Sequence, residues 1–479
     1  MKLHELLENN AHTELDNIEI TSITDDTRKI KDGSLFVCVK GGSFDGHSAA
    51  AQMLEKGAAV VIAEHDLGLG SRQIIVDDSR EFYGKLCAKW FDHPEKKLKL
   101  IGITGTNGKT TITSVIKHIL TENGHKCGLI GTIQNEIGDE IIHTDNTTPM
   151  AYDLMMLFDK MVTAGCEYVV MEVSSFGLVQ KRIGCCHFDI ALFTNLTQDH
   201  LDYHKDMEDY YQAKKLLFDK CNLAICNIND DYGKRLYSEI NCEKKTYGIC
   251  GTADYYADGV KIRASGSSFW FCHEEKSYLV ESRMPGAFNV SNLTAAIAVC
   301  LNSGIEIDSI ISSIKDYAGV KGRCEVIPTD RDFTVICDYA HTPDALENIL
   351  KSVKEYTEGR LICLFGCGGN RDAAKRPKMA KAAAEYADML IITSDNPRNE
   401  NPDEIIKEIV SGLEGYTIPY DVVTDRRQAI YHALEIAKSG DVIVLAGKGH
   451  EDYQILEDNV HIHFDEREIV AEGLKLLGR

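Results

Sequence analysis

The chain has 479 residues, of which 44% are hydrophobic and 26% are charged, a balance typical of globular proteins rather than disordered ones. At roughly 150 residues per domain, this length predicts about three domains. The 52 basic and 74 acidic residues give a formal net charge of −22. Because an acidic surface repels nucleic acids and anionic membranes, neither is an expected partner, although a local basic cleft still admits an anionic substrate.

The cysteines and the apolar segments indicate the compartment. Sixteen cysteines are scattered without C-x-x-C spacing, which favours free thiols in a reducing compartment over disulfides or a zinc site. The first residues lack the apolar core of a signal peptide, and no apolar run reaches the length of about 18 residues that predicts a membrane span. We therefore expect a cytoplasmic protein without membrane insertion, and we expect a monomer.

Short strands and helices alternate along residues 1–98, and the polar, proline-containing stretch 92–99 is interpreted as a linker. A second alternating series follows, with a short buried strand at 100–103 and an amphipathic helix at 110–123. A β-rich stretch at 246–284 interrupts this rhythm and favours an antiparallel insertion.

A Gly-rich turn at 319–323 begins a third series, and the turn is interpreted as a hinge. Its strands are predicted at 333–338, 360–366, 389–394 and 441–446. Because strands that alternate with helices form parallel sheets, the sequence predicts an α/β protein. The predicted domains are residues 1–98, a central domain of residues 99–322 and a C-terminal domain of residues 323–479. The central one is expected to be a P-loop-type parallel sheet with helices on both faces plus a small antiparallel part, and the C-terminal one Rossmann-like.

The segment Gly102-Ile-Thr-Gly105-Thr-Asn-Gly108-Lys109-Thr110-Thr111 joins the strand at 100–103 to the helix at 110–123. A Gly-rich loop between a strand and a helix presents backbone N–H groups and the helix dipole to phosphates. In such loops the lysine neutralises the terminal phosphates and the following threonine ligates Mg²⁺. The segment therefore predicts a phosphate-binding loop with Lys109 and Thr110 in these roles.

Two further segments follow predicted strands of the same sheet. Glu172 ends an apolar strand in Val169-Val-Met-Glu-Val-Ser-Ser-Phe-Gly177, and His200 follows the next strand in Thr194-Asn-Leu-Thr-Gln-Asp-His-Leu-Asp-Tyr-His204. Open parallel sheets bind ligands at the carboxyl ends of their strands. A carboxylate and an imidazole at one sheet edge are consistent with a divalent metal site.

Four other motifs complete the pattern: Ala213-Lys-Lys-Leu-Leu-Phe218, Pro285-Gly-Ala-Phe-Asn289 with Asn292, Gly322-Arg323, and Asp338-Tyr-Ala-His341-Thr-Pro343. With the phosphate loop and the two sheet-edge segments, they resemble the Mur ligase family, the ATP-dependent amino-acid ligases of peptidoglycan synthesis. The resemblance covers nearly the whole chain. It implies that a substrate carboxylate attacks the ATP γ-phosphate, and that an incoming amine then attacks the resulting acyl phosphate.

Within that family the resemblance is closest to the members that extend UDP-N-acetylmuramoyl-L-alanyl-D-glutamate by a third residue. The segments that carry it are Asp26-Thr-Arg28, Asp45-Gly-His47, Asn146-Thr-Thr-Pro149, Leu178-Val-Gln-Lys-Arg182, Gly366-Cys-Gly-Gly-Asn-Arg-Asp372, Asp395-Asn-Pro-Arg398 and Gly447-Lys-Gly-His-Glu451. This implies that ATP, the UDP-linked dipeptide and meso-diaminopimelate are the substrates. L-lysine or another diamino acid is the alternative third residue.

The resemblance also implies roles for individual residues. The catalytic set is Lys109, Glu172, His200, Lys214 and Arg323. The metal ligands, for two Mg²⁺, are Thr110, Glu172, His200 and a carbamylated Lys214. The ATP-binding set is Gly105, Thr106, Asn107, Gly108, Lys109, Thr110, Thr111, Asn289, Asn292, Arg323, Asp338 and His341. The set for the UDP-linked substrate is Thr27, Arg28, Ser43, Phe44, Asn146, Thr147, Thr148, Ser174, Gln180 and Arg182. The amino-acid set is Arg371, Asp395, Asn396, Pro397, Arg398, Gly447 and Glu451.

Some positions depart from the family pattern or allow another interpretation. Asn370 stands where the family usually has Asp, Ala373-Ala374 where it has a basic–glycine pair, and Phe176 where it has His. From the residues alone, Lys214 is a lysine in a polar helix, for which a solvated position is the simpler interpretation. The competing functions are a folylpolyglutamate synthase of the same superfamily and a P-loop nucleotide switch. The Asp-Asn-Pro-Arg tetrapeptide argues against the first, and the Glu172, His200 and Lys214 set against the second.

Overall fold

The computed structural model describes residues 1–7, 15–42, 44–144, 146–200, 203–249 and 251–478. A four-stranded parallel sheet comes first along the chain, in the order β1-β2-β3-β4. Its elements are α1 (Leu3–Leu6), β1 (Ser22–Thr24), β2 (Ser34–Val37), α2 (Ala50–Glu55), β3 (Ala58–Ala63), β4 (Gln73–Ile75) and α3 (Ser79–Trp90). In the stretch interpreted as a linker, Pro94–Lys96 forms a 3-10 turn with Pro94 and Glu95 buried.

A larger sheet follows, with the helices of its crossovers between the strands. Its elements are β5 (Lys99–Thr104), α4 (Lys109–Glu122), β6 (Cys127–Ile130), β7 (Asn135–Ile137), β8 (Glu140–Ile142), α5 (Ala151–Thr163), β9 (Tyr168–Glu172), α6 (Ser175–Val179), β10 (Phe188–Phe193), α7 (Met207–Lys215), β11 (Cys221–Asn227), α8 (Asp231–Glu239) and β12 (Glu243–Ile249). The order β12-β11-β10-β5-β9-β6 is parallel, and β7 and β8 continue it antiparallel.

The predicted antiparallel insertion is β13 (Tyr255–Arg263), β14 (Gly266–His273) and β15 (Lys276–Ser282), which pair in sequence order. Two helices follow, α9 (Ala287–Asn302) and α10 (Ile307–Asp316). The last sheet has the order β16-β17-β21-β18-β19-β20, with only β16 antiparallel to its neighbour.

The elements of this last part are β16 (Glu325–Ile327), β17 (Thr334–Asp338), α11 (Pro343–Lys354), β18 (Leu361–Phe365), α12 (Lys375–Tyr386), β19 (Met389–Ile392), α13 (Pro402–Ser411), β20 (Tyr420–Val422), α14 (Arg426–Ile436), β21 (Val442–Ala446), β22 (Tyr453–Ile455), β23 (His461–His463) and α15 (Glu466–Leu476). The α/β class with parallel sheets is confirmed. Within the described ranges, no helix has the length and hydropathy needed to cross a membrane.

The chain divides into two compact units. The first unit comprises Met1–Tyr247 and Ala295–Ile305, and the second comprises Gly248–Thr294 and Glu306–Arg479. The domain boundaries predicted after residues 98 and 322 stay a prediction.

The central strands of the first unit are apolar because both faces of their sheet are covered. All five residues of β9 are buried, as are five of the six in β5, the pattern of parallel strands between helices. In α4 the buried apolar residues are Ile112, Val115, Ile116, Ile119 and Leu120. Their spacing of three and four residues puts them on one helix face.

The strand order determines where the polar segments meet. β5 lies between β9 and β10 and runs parallel to both. The carboxyl ends of these three strands are therefore at one edge of the sheet, where such sheets bind ligands. The phosphate loop, Glu172 and the His200 segment each follow one of these strands.

Candidate active site

The predicted phosphate loop lies between β5, which ends at Thr104, and α4, which begins at Lys109. Gly108 is the N-cap of α4, with a φ of 88° that favours glycine. Lys109 Nζ donates hydrogen bonds to the carbonyl oxygens of Gly105, at 2.9 Å, and Thr106, at 2.8 Å. The first N–H groups of a long helix therefore open onto a loop that already has a cation beside it, which is an anion-binding arrangement.

The segment after β10 supports this loop through contacts that the motifs did not predict. Thr194 Oγ1 donates to the carbonyl oxygen of Asn107 at 2.7 Å, and Asn195 Oδ1 accepts from its N–H at 2.9 Å. Gly105 lies so close that a Cβ there would be 1.8 Å from Thr194 Oγ1. In the sequence, the asparagine directly after the strand could have indicated this support, because an amide side chain can bond to both the N–H and the carbonyl oxygen of a backbone peptide.

Lys214 is buried, contrary to its interpretation as a solvated helix lysine. Only 1% of the residue is exposed, its Nζ donates to the Gly105 carbonyl oxygen at 2.9 Å, and it lies 4.5 Å from the ring centre of Tyr210. Burial, with the charge of Lys109 as the second cause, lowers the pKa of Lys214 well below its ordinary value. At neutral pH, the uncharged form of this amine is therefore more populated than that of a surface lysine.

Glu172 is buried at the end of β9, where Thr132 orients its carboxylate. The N–H of Thr132 donates to Oε1 and its hydroxyl to Oε2, both at 2.9 Å. His200 has a φ of 54°, and its ring packs 5.3 Å from that of Phe176 and 6.1 Å from that of Tyr210. Tyr210 thus contacts both His200 and Lys214. Within the described ranges, no group of three or more His, Cys, Asp or Glu side chains is arranged so that it could hold a metal ion.

Four of the six residues expected to hold the muramoyl dipeptide form one hydrogen-bonded network: Thr148, Ser174, Gln180 and Arg182. Thr148 Oγ1 donates to the carbonyl oxygen of Glu172 at 3.0 Å and accepts from the N–H of Ser174 at 3.0 Å. Arg182 donates to the carbonyl oxygen of Thr148 at 2.7 Å and, through Nε and Nη2, to Gln180 Oε1. Two more predicted residues are close by. Thr147 shares a 3.0 Å hydroxyl contact with Thr132, and the carbonyl oxygen of the exposed Asn146 accepts from Thr144.

His204, a buried histidine that belongs to none of the predicted sets, packs beside this network. His204 Nε2 is 2.9 Å from Ser175 Oγ, and its Nδ1 is 3.1 Å from Asp209 Oδ2. Because Ser175 begins α6 and Asp209 lies in the first turn of α7, His204 joins the two helices that carry Ser174 and Lys214.

Three residues of the expected uridine-end set are described, and they line a cavity of about 980 Å³ in the first unit: Thr27, Arg28 and Phe44. Arg28 forms two hydrogen bonds with Asp26, at 2.9 and 2.8 Å, which lower the pKa of Asp26 to about 2. Phe44 is 52% exposed. Ser43 lies outside the described residues.

In the second unit, the amino-acid set gathers beyond the carboxyl ends of β19 and β21. Asn396 Nδ2 donates to Glu451 Oε2 at 3.0 Å, and Arg398 Nη1 donates to the carbonyl oxygen of Gly369 at 3.0 Å. A Cβ on Gly447 would lie 3.7 Å from Asp395 Oδ2. Pro397 is buried and Arg371 is exposed.

A buried ion pair fixes this end of the sheet. Arg426 Nη2 lies 2.8 Å from Glu466 Oε1, and both side chains are fully buried. The same guanidinium donates to the carbonyl oxygen of Ala446, the last residue of β21, at 2.8 Å. Asn370, which stands where the family usually has Asp, helps to hold the loop that carries Arg398. Its Oδ1 accepts a hydrogen bond from the N–H of Asn399 at 3.0 Å.

The remaining expected nucleotide contacts lie in α9, just before β16, and at or after the end of β17. Asn289 Nδ2 donates to the carbonyl oxygen of Pro285 at 2.8 Å, and Asn292 Nδ2 lies 3.3 Å from Asn289 Oδ1. Asp338 accepts from the N–H groups of Cys324 and Ala340. Two further predicted residues are nearby. Arg323 lies 5.1 Å from the ring centre of Tyr339, and its buried Nε has no hydrogen-bond partner in the part of the chain that the structure describes. His341 Nδ1 is 2.9 Å from the Tyr339 carbonyl oxygen.

A phosphate loop on a parallel sheet, with two lysines at one loop carbonyl and a buried glutamate on the next strand, is typical of proteins that bind a nucleoside triphosphate. Family models match three stretches of the chain: the Mur ligase family catalytic domain at residues 19–90, the Mur ligase middle domain at 103–300 and the Mur ligase glutamate ligase domain at 322–449. The chain belongs to the Mur ligase family and is an ATP-dependent ligase.

Relatives and solved structures agree with this assignment. The UDP-N-acetylmuramoyl-L-alanyl-D-glutamate–2,6-diaminopimelate ligase 1 of Clostridium acetobutylicum is 46% identical, with 96% of each chain covered. The corresponding ligase of Bacillus cereus is 45% identical over 99% of this chain and 98% of its own. A solved structure of such a ligase has a TM-score of 0.76 at 31% identity and covers 100% of this chain and 99% of its own. The MurF ligase of Thermotoga maritima in complex with ADP shares the fold, with a TM-score of 0.60 at 17% identity over 95% and 97% of the two chains.

Gly105→Ala is expected to weaken nucleotide binding by about tenfold or more, which corresponds to a loss of about 1.4 kcal/mol of binding free energy. The reason is that the new Cβ would collide with Thr194 Oγ1 and displace the loop. Titration calorimetry with ATP and Mg²⁺ measures the change.

The matched control is Gly124→Ala, at the other end of α4. Gly124 also has a positive φ, 84°, but a Cβ there would meet no atom within 4 Å. This variant should lose some thermal stability and keep its ATP affinity. Equal ATP affinities for the two variants would contradict the proposed support of the loop by Thr194.

Proposed function

We propose that this enzyme joins meso-diaminopimelate to UDP-N-acetylmuramoyl-L-alanyl-D-glutamate, with ATP converted to ADP and phosphate, in peptidoglycan precursor synthesis. The observation that carries the proposal is the pair of sites built from the expected residues. In the first unit, the phosphate loop adjoins the network of Thr148, Ser174 and Arg182. In the second unit, Asp395, Asn396 and Arg398 cluster with Glu451. The relatives of about 45% identity that are named for this reaction support the same conclusion.

The first chemical step would be transfer of the γ-phosphate to the substrate carboxylate. Glu172 lies one strand away from the phosphate loop, and the Thr148 network is bonded to its backbone. A dipeptide carboxylate bound by this network would therefore lie near the loop, as an in-line transfer requires. Lys109 and Arg323 are the proposed cations that offset charge on the transferred group. The amine of the amino acid then attacks the acyl phosphate and phosphate leaves.

The proposed metal ligands are Thr110, Glu172, His200 and carbamylated Lys214, for two Mg²⁺. The buried amine of Lys214 fits this role, because its lowered pKa increases the fraction that is uncharged, and only an uncharged amine reacts with CO₂ to give a carbamate. The carbamate would supply oxygen atoms, which Mg²⁺ prefers, where the unmodified amine offers none. When bound, the metal ions would offset the charge of the phosphates.

Arg398 is the proposed determinant of the amino acid. Meso-diaminopimelate differs from L-lysine by a carboxylate on the distal carbon, and a guanidinium binds a carboxylate through two parallel hydrogen bonds. Arg398 has a φ of 51°, and its N–H donates to the carbonyl oxygen of Ile455 at 3.1 Å, so its backbone is fixed. Glu451 would accept from the distal ammonium, and Arg371, Asn396 and Gly447 would complete the site.

A cytoplasmic location is also proposed, supported by the free thiols of all fifteen cysteines within the described ranges. The expected monomer stays a prediction, which the mass of the protein in solution would test.

Removal of CO₂ is expected to inactivate the enzyme reversibly through Lys214. Activity should fall in degassed, bicarbonate-free buffer and return when bicarbonate is added. Lys214→Ala should lower kcat by roughly 100-fold or more, the scale for losing a group that stabilises transition-state charge, and should not respond to bicarbonate. A short carboxylic acid should partly restore it. Phosphate release measures each rate.

The control for this experiment is Lys215→Ala. Lys215 neighbours Lys214 on α7, but its Nζ pairs with Glu239 at 2.7 Å and it is only partly buried. This variant should keep the bicarbonate response of the wild type. A Lys214→Ala enzyme with wild-type activity would refute the carbamylated metal ligand.

The amino-acid assignment predicts that ATP releases phosphate only when both the UDP-linked dipeptide and meso-diaminopimelate are present. A panel that includes L-lysine should show a far lower kcat/KM for L-lysine. Arg398→Lys should raise the KM for diaminopimelate by roughly 30-fold or more, which corresponds to about 2 kcal/mol for a desolvated charge pair. The KM values for ATP and the dipeptide should change little.

Arg360→Lys serves as the control, because Arg360 pairs with Asp441 before β18 and β21, at the opposite ends of these strands. It should leave all three KM values near those of the wild type. Comparable kcat/KM values for L-lysine and diaminopimelate in the wild type would overturn the proposed specificity.

A further inference from the structure

A fully buried lysine that belongs to none of the predicted sets lies among the amino-acid residues of the second unit. Lys448 is 0% exposed and lies two residues after the end of β21. Its Nζ donates to Asn396 Oδ1 at 3.2 Å and to Glu451 Oε2 at 3.1 Å, and it lies 3.7 Å from Asp395 Oδ1. All three oxygens belong to residues proposed to bind the amino acid.

These contacts form a closed arrangement. Glu451 Oε2 accepts from both Lys448 and Asn396, and Asn396 Oδ1 accepts from both Lys448 and the N–H of Ile455. A buried ammonium loses its hydration, so its side chain is stable there only if carboxylates and hydrogen-bond acceptors compensate for the loss. Lys448, Asn396 and Glu451 therefore restrain one another's side-chain positions.

The same cluster contains an acceptor without a donor. Asp395 Oδ1 is buried and has no hydrogen-bond partner within the described ranges, since 3.7 Å from Lys448 is too long for a hydrogen bond. A buried acceptor without a donor is rare in proteins, and a donor from a bound molecule is one way to satisfy it. Asp395 and Glu451 bring two negative charges, and Lys448 offsets one of them.

We propose that Lys448 is a positioning residue of the amino-acid site. It holds Asn396 and Glu451 in place and neutralises one of the two carboxylates, so that one negative charge and the acceptor Asp395 Oδ1 are left for the ammonium of the amino acid. Lys448 acts through these residues and does not touch the reacting atoms. This inference rests on the proposed function, because that function assigns the amino acid to this cluster.

Lys448→Met tests the proposal, since methionine is similar in length and has no charge or donor. The KM for the amino acid should rise by about tenfold or more, as expected when one member of a buried charge pair is removed. The KM values for ATP and the UDP-linked dipeptide should stay within about twofold. Lys448→Gln, which keeps donors but no charge, is the second variant and should show the same selective rise if Lys448→Met does not fold.

A double-mutant cycle separates positioning from simple stabilisation of the fold. If Lys448 acts through Glu451, then adding Lys448→Met to Glu451→Gln should raise the KM for the amino acid by less than about threefold further. Lys354→Met is the control, because Lys354 forms an exposed ion pair with Asp388 away from the cluster. It should leave all three KM values unchanged.

Two results distinguish this inference from the proposed function. A wild type that releases phosphate with no amino acid of the panel contradicts the proposed function and, with it, the assignment of the cluster. A wild type that works, with Lys448 variants that raise all three KM values equally or combine additively with Glu451→Gln, overturns only the positioning role.

Discussion

The carbonyl oxygen of Gly105 accepts hydrogen bonds from both Lys109 and Lys214, and the site in the first unit depends on this shared contact. Two ammonium groups at one uncharged acceptor repel each other, and Lys214 is the buried one. Burial together with the charge of Lys109 therefore lowers the pKa of Lys214. The lowered pKa increases the uncharged fraction of Lys214, which is the form that the proposed carbamylation requires.

The close approach that makes this possible requires glycine at position 105. The segment after β10 lies against the loop, with Thr194 and Asn195 bonded to Asn107, and so restrains the loop whose carbonyl faces both lysines. Tyr210 extends the arrangement, because its ring contacts Lys214 and His200 and its hydroxyl lies 3.3 Å from Thr106 Oγ1. The phosphate loop, the proposed metal ligands His200 and Lys214, and α7 are thus packed together rather than separate motifs.

The sequence predicted what depends on local patterns and missed what depends on distant contacts. The apolar run of β9 and the Gly-rich turn before α4 are local, so the fold class and the phosphate loop could be read from them. The burial of Lys214 could not, because Met207–Lys215 is a polar segment whose lysine contacts a loop 109 residues earlier in the chain. Lys448 was missed for the same reason, since its partner Asn396 is 52 residues away.

Net charge was equally uninformative about the buried cations. A chain with a formal charge of −22 buries Arg426 against Glu466 and Lys448 against Glu451, each beyond the carboxyl end of the second-unit sheet. Arg426 bonds to the backbone of β21 and so stabilises the end of the strand, whereas Lys448 bonds to side chains that are proposed to bind substrate. The partners of each cation, and not its charge or burial alone, distinguish a structural role from a functional one.

The claim on which this account depends is that a substrate carboxylate is phosphorylated at the edge of the central sheet. Labelling both oxygen atoms of the glutamate carboxylate that is joined to the amino acid with ¹⁸O tests it directly, by mass spectrometry of the phosphate released during synthesis. The account predicts that one ¹⁸O atom appears in each phosphate, because the carboxylate oxygen that attacks ATP leaves with the phosphoryl group. Phosphate without the label, at a normal rate of product formation, would contradict an acyl-phosphate intermediate and the proposed geometry with it.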